Sequence, residues 1–258
     1  MRVARAGFAA VVLAAGAAGL ALLVFPGSTA RFFSWGLGPP PLASLVGGFY
    51  VASSLVFGVA MTRPRGEMRA LLAAAFALTA PTFVATMIHL EVFDLGRWQA
   101  WFWILLFGGA PWFWLGCLLA GGDTSPARPR GPGSPPLVGL AVLLVGGAVL
   151  LWIDPVGASG PLPLDFSPMG GRFVGAWLAF LAVMAVWAGL RPDEARLPLL
   201  ALAVYPAGAL VAALRSITDL RPAGSPRLVY IGALAAACVL FGWKAVRARV
   251  RPTGGRGW

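Results

Sequence analysis

Charged residues are scarce in this chain of 258 residues, in which they make up only 11% while hydrophobic residues make up 59%. Soluble globular proteins usually carry about 25% charged and about 45–50% apolar residues. The mean hydropathy is +0.82, and the apolar residues come in long blocks. This composition excludes a soluble enzyme, a nucleic-acid-binding domain and a disordered chain, and it indicates an integral membrane protein.

Histidine and cysteine are nearly absent as well. The chain has one histidine, His89, and two cysteines, Cys117 and Cys238, which both fall inside hydrophobic blocks. A single histidine excludes a bis-histidine haem site within the chain, and so few soft ligands argue against a metal site. Sequence motifs for dinucleotides, nucleotide phosphates and catalytic zinc are also missing. We therefore predict no metal and no cofactor.

Asp, Glu, Lys and Arg are missing from the middle third of every hydrophobic block. Ion-coupled pumps and channels usually place such groups there, because they are costly in lipid and serve the ion pathway. This absence argues against a carrier driven by protons or sodium, although backbone carbonyls can also bind a cation.

What the chain does contain is eight apolar runs of about 20 residues, the length that an α-helix needs to cross a bilayer. The sequence therefore predicts an all-α, polytopic membrane protein. The first run follows a basic segment, so a cleaved signal peptide is an alternative, but its length favours a retained helix. The eight runs are approximately Gly7–Phe25, Leu42–Met61, Ala70–Leu90, Trp98–Ala120, Leu137–Ile153, Phe173–Leu190, Leu197–Leu214 and Leu228–Val246.

The net charge of +11 reflects arginines and lysines between the hydrophobic blocks rather than on a soluble face, so we expect no nucleic-acid partner. With the N-terminus inside, 14 of the 20 basic residues lie on inner segments. Basic residues collect on the cytoplasmic side of membrane proteins. We therefore predict a cytoplasmic-type (inner or plasma) membrane with both termini in the cytoplasm. The six outer ones are Arg31, Arg97, Arg172, Arg215, Arg221 and Arg227.

The two halves of the sequence resemble each other at a shift of about 127 residues. This similarity predicts a tandem 4+4 repeat, with a first four-helix unit over 1–120, a Gly/Pro/Arg-rich cytoplasmic linker over 121–136 and a second unit with a basic tail over 137–258. Because each unit has an even number of helices, the repeats are parallel and their pseudo-symmetry axis runs along the membrane normal. The matches include Pro41 with Pro168, Gly48 with Gly175, Tyr50 with Trp177, and Arg63-Pro64 with Arg191-Pro192.

Two prolines interrupt predicted helices at nearly corresponding positions of the two units: Pro81 in the third helix and Pro206 in the seventh. Each removes a backbone hydrogen bond and frees a carbonyl. Paired helix breaks indicate a central binding site in transporters, whereas a plain structural kink explains them equally well. The candidate ligand-binding residues are Thr79, Pro81, Thr82, Thr86, Trp112, Trp114, Tyr205 and Pro206.

A polar cluster is predicted at the outer ends of the helices. Its carboxylates and arginines offer charge-assisted hydrogen bonds to a ligand, and His89 with Glu91 offers an acid–base pair. An ordinary interfacial loop with local salt bridges explains the same residues, and no positioned nucleophile accompanies the pair. The members are His89, Glu91, Asp94 and Arg97 in the first unit, and Arg215, Asp219 and Arg221 in the second.

No motif in the chain identifies a family, so three functional hypotheses stay open. The first is a carrier or binding protein for a neutral, apolar or lipid-like molecule. The second is a non-catalytic scaffold or accessory subunit of a larger membrane complex, and the third is a membrane enzyme that uses the outer polar cluster. The absence of catalytic motifs argues against an enzyme. The expected partners are the lipid bilayer, a small apolar or lipid ligand, and a membrane-protein partner or a second copy of the chain.

Overall fold

The structure, a computed structural model, describes residues 2–120, 134–160, 162–220 and 224–248. This part of the chain forms eight long α-helices, one four-residue α-helix (Thr29–Phe32) and short 3₁₀ turns, with no β-strand. The long helices are α1 (Arg2–Val24), α2 (Pro40–Ala60), α3 (Arg65–Ile88), α4 (Trp98–Ala120), α5 (Pro135–Ile153), α6 (Pro168–Leu190), α7 (Arg196–Arg215) and α8 (Gly224–Arg247).

The predicted all-α fold with eight apolar helices is confirmed, because all eight long helices are long and apolar enough to cross a membrane. Several begin earlier than their hydrophobic runs, since helical structure continues through charged ends. Thus α1 begins at Arg2 and α3 at Arg65. Long basic side chains at such ends keep their charge near water while their stems cover apolar surface. Most of the predicted linker lies outside the described residues, and its last two prolines already belong to α5.

The eight helices divide into an inner bundle (α2, α3, α6 and α7) and four outer helices (α1, α4, α5 and α8). The buried share of the apolar stretch is 67%, 50%, 67% and 56% in the inner helices. It is 22% in α1, α4 and α5, and 6% in α8. Each outer helix packs chiefly against one inner helix: α1 on α2, α4 on α3, α5 on α6 and α8 on α7.

Within the inner bundle, helices that are distant in the chain make the larger contacts. Helix α2 packs chiefly against α7, and α3 against α6, whereas the consecutive helices α2 and α3 touch only slightly. Gly48 of α2 lies directly against Gly208 of α7, where a Cβ on either glycine would overlap the carbonyl group of the other. Small residues therefore set the distance between these two helices.

The connections at the end of the bundle that the sequence predicts to face away from the cytoplasm fold back onto the helices. Phe33, Trp35 and Leu37, which follow α1, are buried, as are Leu164 and Phe166 in the connection from α5 to α6. Gly38 has a φ of 83°, a conformation that glycine adopts without steric cost, and the chain turns there into α2. These buried loop residues extend the core to the outer end of the bundle, which the sequence did not predict.

Candidate functional site

The two prolines selected from the sequence lie inside inner helices, Pro81 in α3 and Pro206 in α7, and both helices continue through them. The hydroxyls of α3 bond to its own backbone. Thr79, Thr82 and Thr86 donate to the carbonyls four residues earlier, over 2.8, 2.7 and 2.8 Å. None of these bonds is to Ala77, whose carbonyl lacks its usual donor because Pro81 has no N–H. The hydroxyl groups of these three threonines therefore donate their hydrogen bonds within α3.

Tyr205 of α7 is fully buried and joins two inner helices. Its hydroxyl lies 3.0 Å from Oγ of Ser53 in α2. Ser53 in turn donates to the carbonyl of Phe49 over 2.9 Å. Because that bond uses the only proton of the Ser53 hydroxyl, Tyr205 is the donor between the two side chains.

Tyr205 belongs to a central aromatic cluster formed by Phe49, Trp177, Phe180 and Tyr205, at the junction of α2, α6 and α7. The centroid of the Tyr205 ring lies 5.3 Å from that of Trp177, 5.0 Å from Phe180 and 6.0 Å from Phe49. Tilted and edge-to-face arrangements at such distances are favourable for aromatic rings. The cluster thus fills the centre of the inner bundle with large, mainly apolar side chains.

One polar atom of this cluster has no partner. Trp177 is only 1% exposed, and its indole Nε1 forms no hydrogen bond with any described residue. A buried donor without an acceptor costs about 1–3 kcal/mol, and native proteins satisfy nearly all such groups. The unpaired N–H marks the point in the inner bundle where a hydrogen-bond acceptor is missing.

A second buried indole, that of Trp35, lies in the connection between α1 and α2. Trp35 is 3% exposed, and its Nε1 also lacks a partner within the described part of the chain. Phe173 lies between the two tryptophans, with centroid distances of 5.9 Å to Trp35 and 6.1 Å to Trp177. The half-buried Tyr50 adds another ring 6.1 Å from Trp177. Aromatic side chains therefore run without interruption from the outer connection to the centre of the bundle.

Sequence reasoning selected Tyr205 but missed Trp177, Ser53 and Tyr50 as site residues. The only signal that marked Trp177 and Tyr50 was their alignment with each other in the two halves of the chain. Periodicity gave no further help, because an aromatic residue in an apolar helix faces lipid as readily as it faces a neighbouring helix.

Trp112 and Trp114, the other aromatic candidates, are not brought to the central cluster. Trp114 packs between Phe8 and Phe57, with ring centroids 5.9 and 6.0 Å away. Trp112 is 71% exposed and lines an open cavity with Val3 of α1 and other residues of α4. Both indoles lie on the outer helix α4, but Trp114 is buried whereas Trp112 is exposed.

Two arginines of the outer polar cluster, Arg97 and Arg215, bond to backbone carbonyls at helix ends. Arg215 donates to Leu23 and to Val24, the latter over 2.9 Å, at the end of α1. Arg97 donates to the carbonyls of Ala30 and Arg31. The last carbonyls of a helix have no partner within the helix, so these arginines stabilise the ends of the first helical segments.

His89 lies between an arginine and a carboxylate. Arg172 of α6 contacts Nε2 of His89 and donates to the carbonyl of Trp152 over 3.2 Å. The Nδ1 atom of His89 lies 3.1 Å from Oε1 of Glu91. A guanidinium can only donate, so Nε2 accepts and Nδ1 carries the proton. Hydrogen bonds from its own backbone N–H and from His89 lower the pKa of the exposed Glu91 carboxyl.

The remaining residues of the outer polar cluster are locally bonded, exposed or outside the described residues. Asp94 accepts the backbone N–H of Gly96 over 3.1 Å, Asp219 is exposed, and Arg221 lies outside the described residues. Both nitrogens of His89 contact charged side chains rather than a hydroxyl or thiol nucleophile. Over the described ranges, no group of three His, Cys, Asp or Glu side chains is placed to hold a metal ion.

Comparisons of the chain with protein-family models, with curated proteins and with solved structures found no match.

Proposed function

We propose that this chain is an integral membrane protein that binds or carries a neutral, largely apolar, lipid-like molecule at the centre of its inner bundle. The observation that carries the proposal is the unpaired N–H of Trp177, buried among the aromatic rings of α2, α6 and α7. A carbonyl or hydroxyl oxygen of the ligand would accept this hydrogen bond. The surrounding rings would contact its apolar part.

The distribution of charge supports a neutral ligand. The charged residues of the four inner helices all lie within five residues of a helix end. A charged ligand at the central aromatic cluster would therefore have no counter-ion, and an unpaired charge in an apolar interior costs many kcal/mol. A neutral molecule with one acceptor matches the single free donor of the cluster.

The packing pattern supports two parallel four-helix units. Helix α1 packs on α2 as α5 packs on α6, α4 on α3 as α8 on α7, and α2 on α7 as α6 on α3. The pattern maps onto itself when each helix is replaced by the one four positions later. We place the units in a cytoplasmic-type membrane with both termini inside, following the excess of basic residues at that end. Movement of one unit against the other would open the central aromatic cluster, as in other carriers built from repeats.

Mass spectrometry of the protein, purified in nanodiscs of native lipid, tests the proposal. We expect a neutral molecule at stoichiometric amounts in the wild type and its loss in Trp177→Phe, which keeps the ring and removes the N–H. Trp98→Phe is the matched control, because Trp98 is 71% exposed and should retain the molecule. Equal recovery from both variants would refute the central site. Unchanged binding in Pro81→Ala and Pro206→Ala would show that binding at the central aromatic cluster does not depend on the two prolines.

The second candidate function, an accessory subunit, is favoured by the surface of α8. Only 6% of its apolar stretch is buried, and Leu228, Val239 and Val246 are exposed. Such a face contacts either lipid or another membrane protein. A fixed protein partner in the same purification, with no bound small molecule, would favour this role over the carrier.

A further inference from the structure

The inner end of the second unit contains a cavity of about 330 Å³ between α5, α7 and α8. Its wall combines apolar side chains from α5 and α7 with a basic pair from the last turn of α8. The residues that define its chemistry are Ser134, Leu137, Leu199, Trp243, Lys244 and Arg247. The cavity therefore joins an apolar wall to two positive charges.

The basic pair is available to a ligand. Neither Lys244 nor Arg247 forms a salt bridge with any residue in the described ranges. The guanidinium of Arg247 lies over the ring of Trp243, 3.8 Å from its centroid, an arrangement that orients the group but leaves its N–H donors free. Glu194, in the turn before α7, accepts from Trp187 over 3.0 Å and pairs with Arg191.

The first unit has a cavity in a comparable place but without charge. It measures about 390 Å³ and lies between α1 and α4, just as the basic cavity involves α5 and α8. Its lining is Val3, Ala4, Trp112, Phe113, Gly116, Cys117 and Ala120. The two cavities therefore provide a comparison within one molecule between a basic and an uncharged apolar recess.

We infer that the cavity between α5, α7 and α8 binds an anionic phospholipid, with the phosphate at Lys244 and Arg247 and the start of an acyl chain against Leu137 and Leu199. Arginine donors match phosphate oxygens, and basic recesses between helices on the cytoplasmic side suit anionic headgroups. The volume lies at the lower end of ligand pockets, so the rest of the lipid stays in the bilayer. This inference rests on the proposed membrane insertion and orientation but not on the central aromatic cluster.

Native mass spectrometry from nanodiscs of mixed phosphatidylglycerol and phosphatidylcholine tests this site. The wild type should retain phosphatidylglycerol over phosphatidylcholine. Lys244→Gln with Arg247→Gln should lower that preference about 30-fold, whereas Lys244→Arg with Arg247→Lys should keep it. The matched control is Arg2→Gln with Arg5→Gln, which removes two exposed basic residues at the start of α1, beside the uncharged cavity, and should change the preference little.

An unchanged preference in the Lys244/Arg247 glutamine variant, or an equal loss in the Arg2/Arg5 variant, would overturn the inference. A test on the wild type does not depend on the folding of any variant: the preference should collapse at about 1 M salt, where charges are screened within about 3 Å. A preference that resists salt would also overturn it. Failure of this site would leave the neutral molecule bound near Trp177 unaffected, so the two proposals fail separately.

Discussion

The inner and outer helices of this protein are equally apolar but differ in what they contact. Helices α2 and α8 have the same mean hydropathy of 1.8 over their apolar stretches, yet 67% of that stretch is buried in α2 and 6% in α8. Hydropathy measures the transfer of a helix into an apolar medium, and a protein interior and a lipid tail are similar media. It therefore locates the helices but does not tell which of them meet at the centre.

Buried hydroxyls and close backbone approach are found in the inner bundle. The buried hydroxyls of Ser53, Thr82 and Tyr205 lie on α2, α3 and α7, whereas α1, α4, α5 and the inner helix α6 contain no serine, threonine or tyrosine. The contact of Gly48 with Gly208 also joins inner helices. In an apolar medium, close backbone approach and satisfied hydroxyls stabilise helix association more than side-chain hydrophobicity does. The four predictions that follow test this distinction.

The largest effect is expected from Gly48→Leu. The new side chain would meet the backbone of Gly208, which cannot move aside without separating α2 from α7. We expect a loss of about 3 kcal/mol or more in the free energy of unfolding, measured by thermal unfolding in detergent. Gly146→Leu on outer helix α5 is the control, because no atom lies within 4 Å of its added Cβ. Equal destabilisation by both would contradict the distinction between inner and outer helices.

Tyr205→Phe should have a smaller effect. It removes the hydroxyl that donates to Ser53 between α7 and α2, and one buried hydrogen bond contributes about 1 kcal/mol. Tyr230→Phe, on outer helix α8, should change the stability less. The same unfolding measurement compares the two variants. A larger loss from Tyr230→Phe would show that the hydroxyl pair of the inner bundle does not stabilise it.

Arg215→Gln should act locally rather than globally. Its guanidinium bonds to the carbonyls of Leu23 and Val24 at the end of α1. We expect faster hydrogen exchange in the last turn of α1 and unchanged exchange in α3 and α6. Loss of protection throughout the inner bundle would mean that this arginine does more than cap an outer helix.

The smallest effect is expected from protonation of Glu91 as the pH is lowered. The lowered pKa of Glu91 means that its contact with His89 stabilises the protein above the ordinary glutamate range and is lost as the pH falls through the lowered value. Because His89 is the only histidine, selective ¹⁵N labelling reports it alone. At neutral pH the signal should show the proton on Nδ1. A proton on Nε2 would contradict the contact with Arg172.

The helices, their number and their approximate ends could be predicted from the sequence, because long apolar runs have few alternatives. The ends differed where charged residues such as Arg65 continue a helix. Of the central aromatic cluster, the sequence analysis selects only Tyr205. Trp177 and the buried Trp35 are not selected, because their burial depends on contacts between helices and loops far apart in the chain. The sequence is consistent with Arg97 and Arg215 as part of a ligand site or of an ordinary interfacial loop, and the structure shows both bonded to helix carbonyls.

The most direct test of the central site is the indole N–H spectrum of ¹⁵N-tryptophan-labelled protein. The chain has 11 tryptophans, and the signal of Trp177 is the one that disappears in Trp177→Phe. Addition of the neutral lipid fraction of the native membrane should shift that signal downfield, as a hydrogen bond forms, and leave the exposed Trp98 unchanged. A Trp177 signal that stays in place while outer indoles respond would contradict a binding site at the centre of the inner bundle.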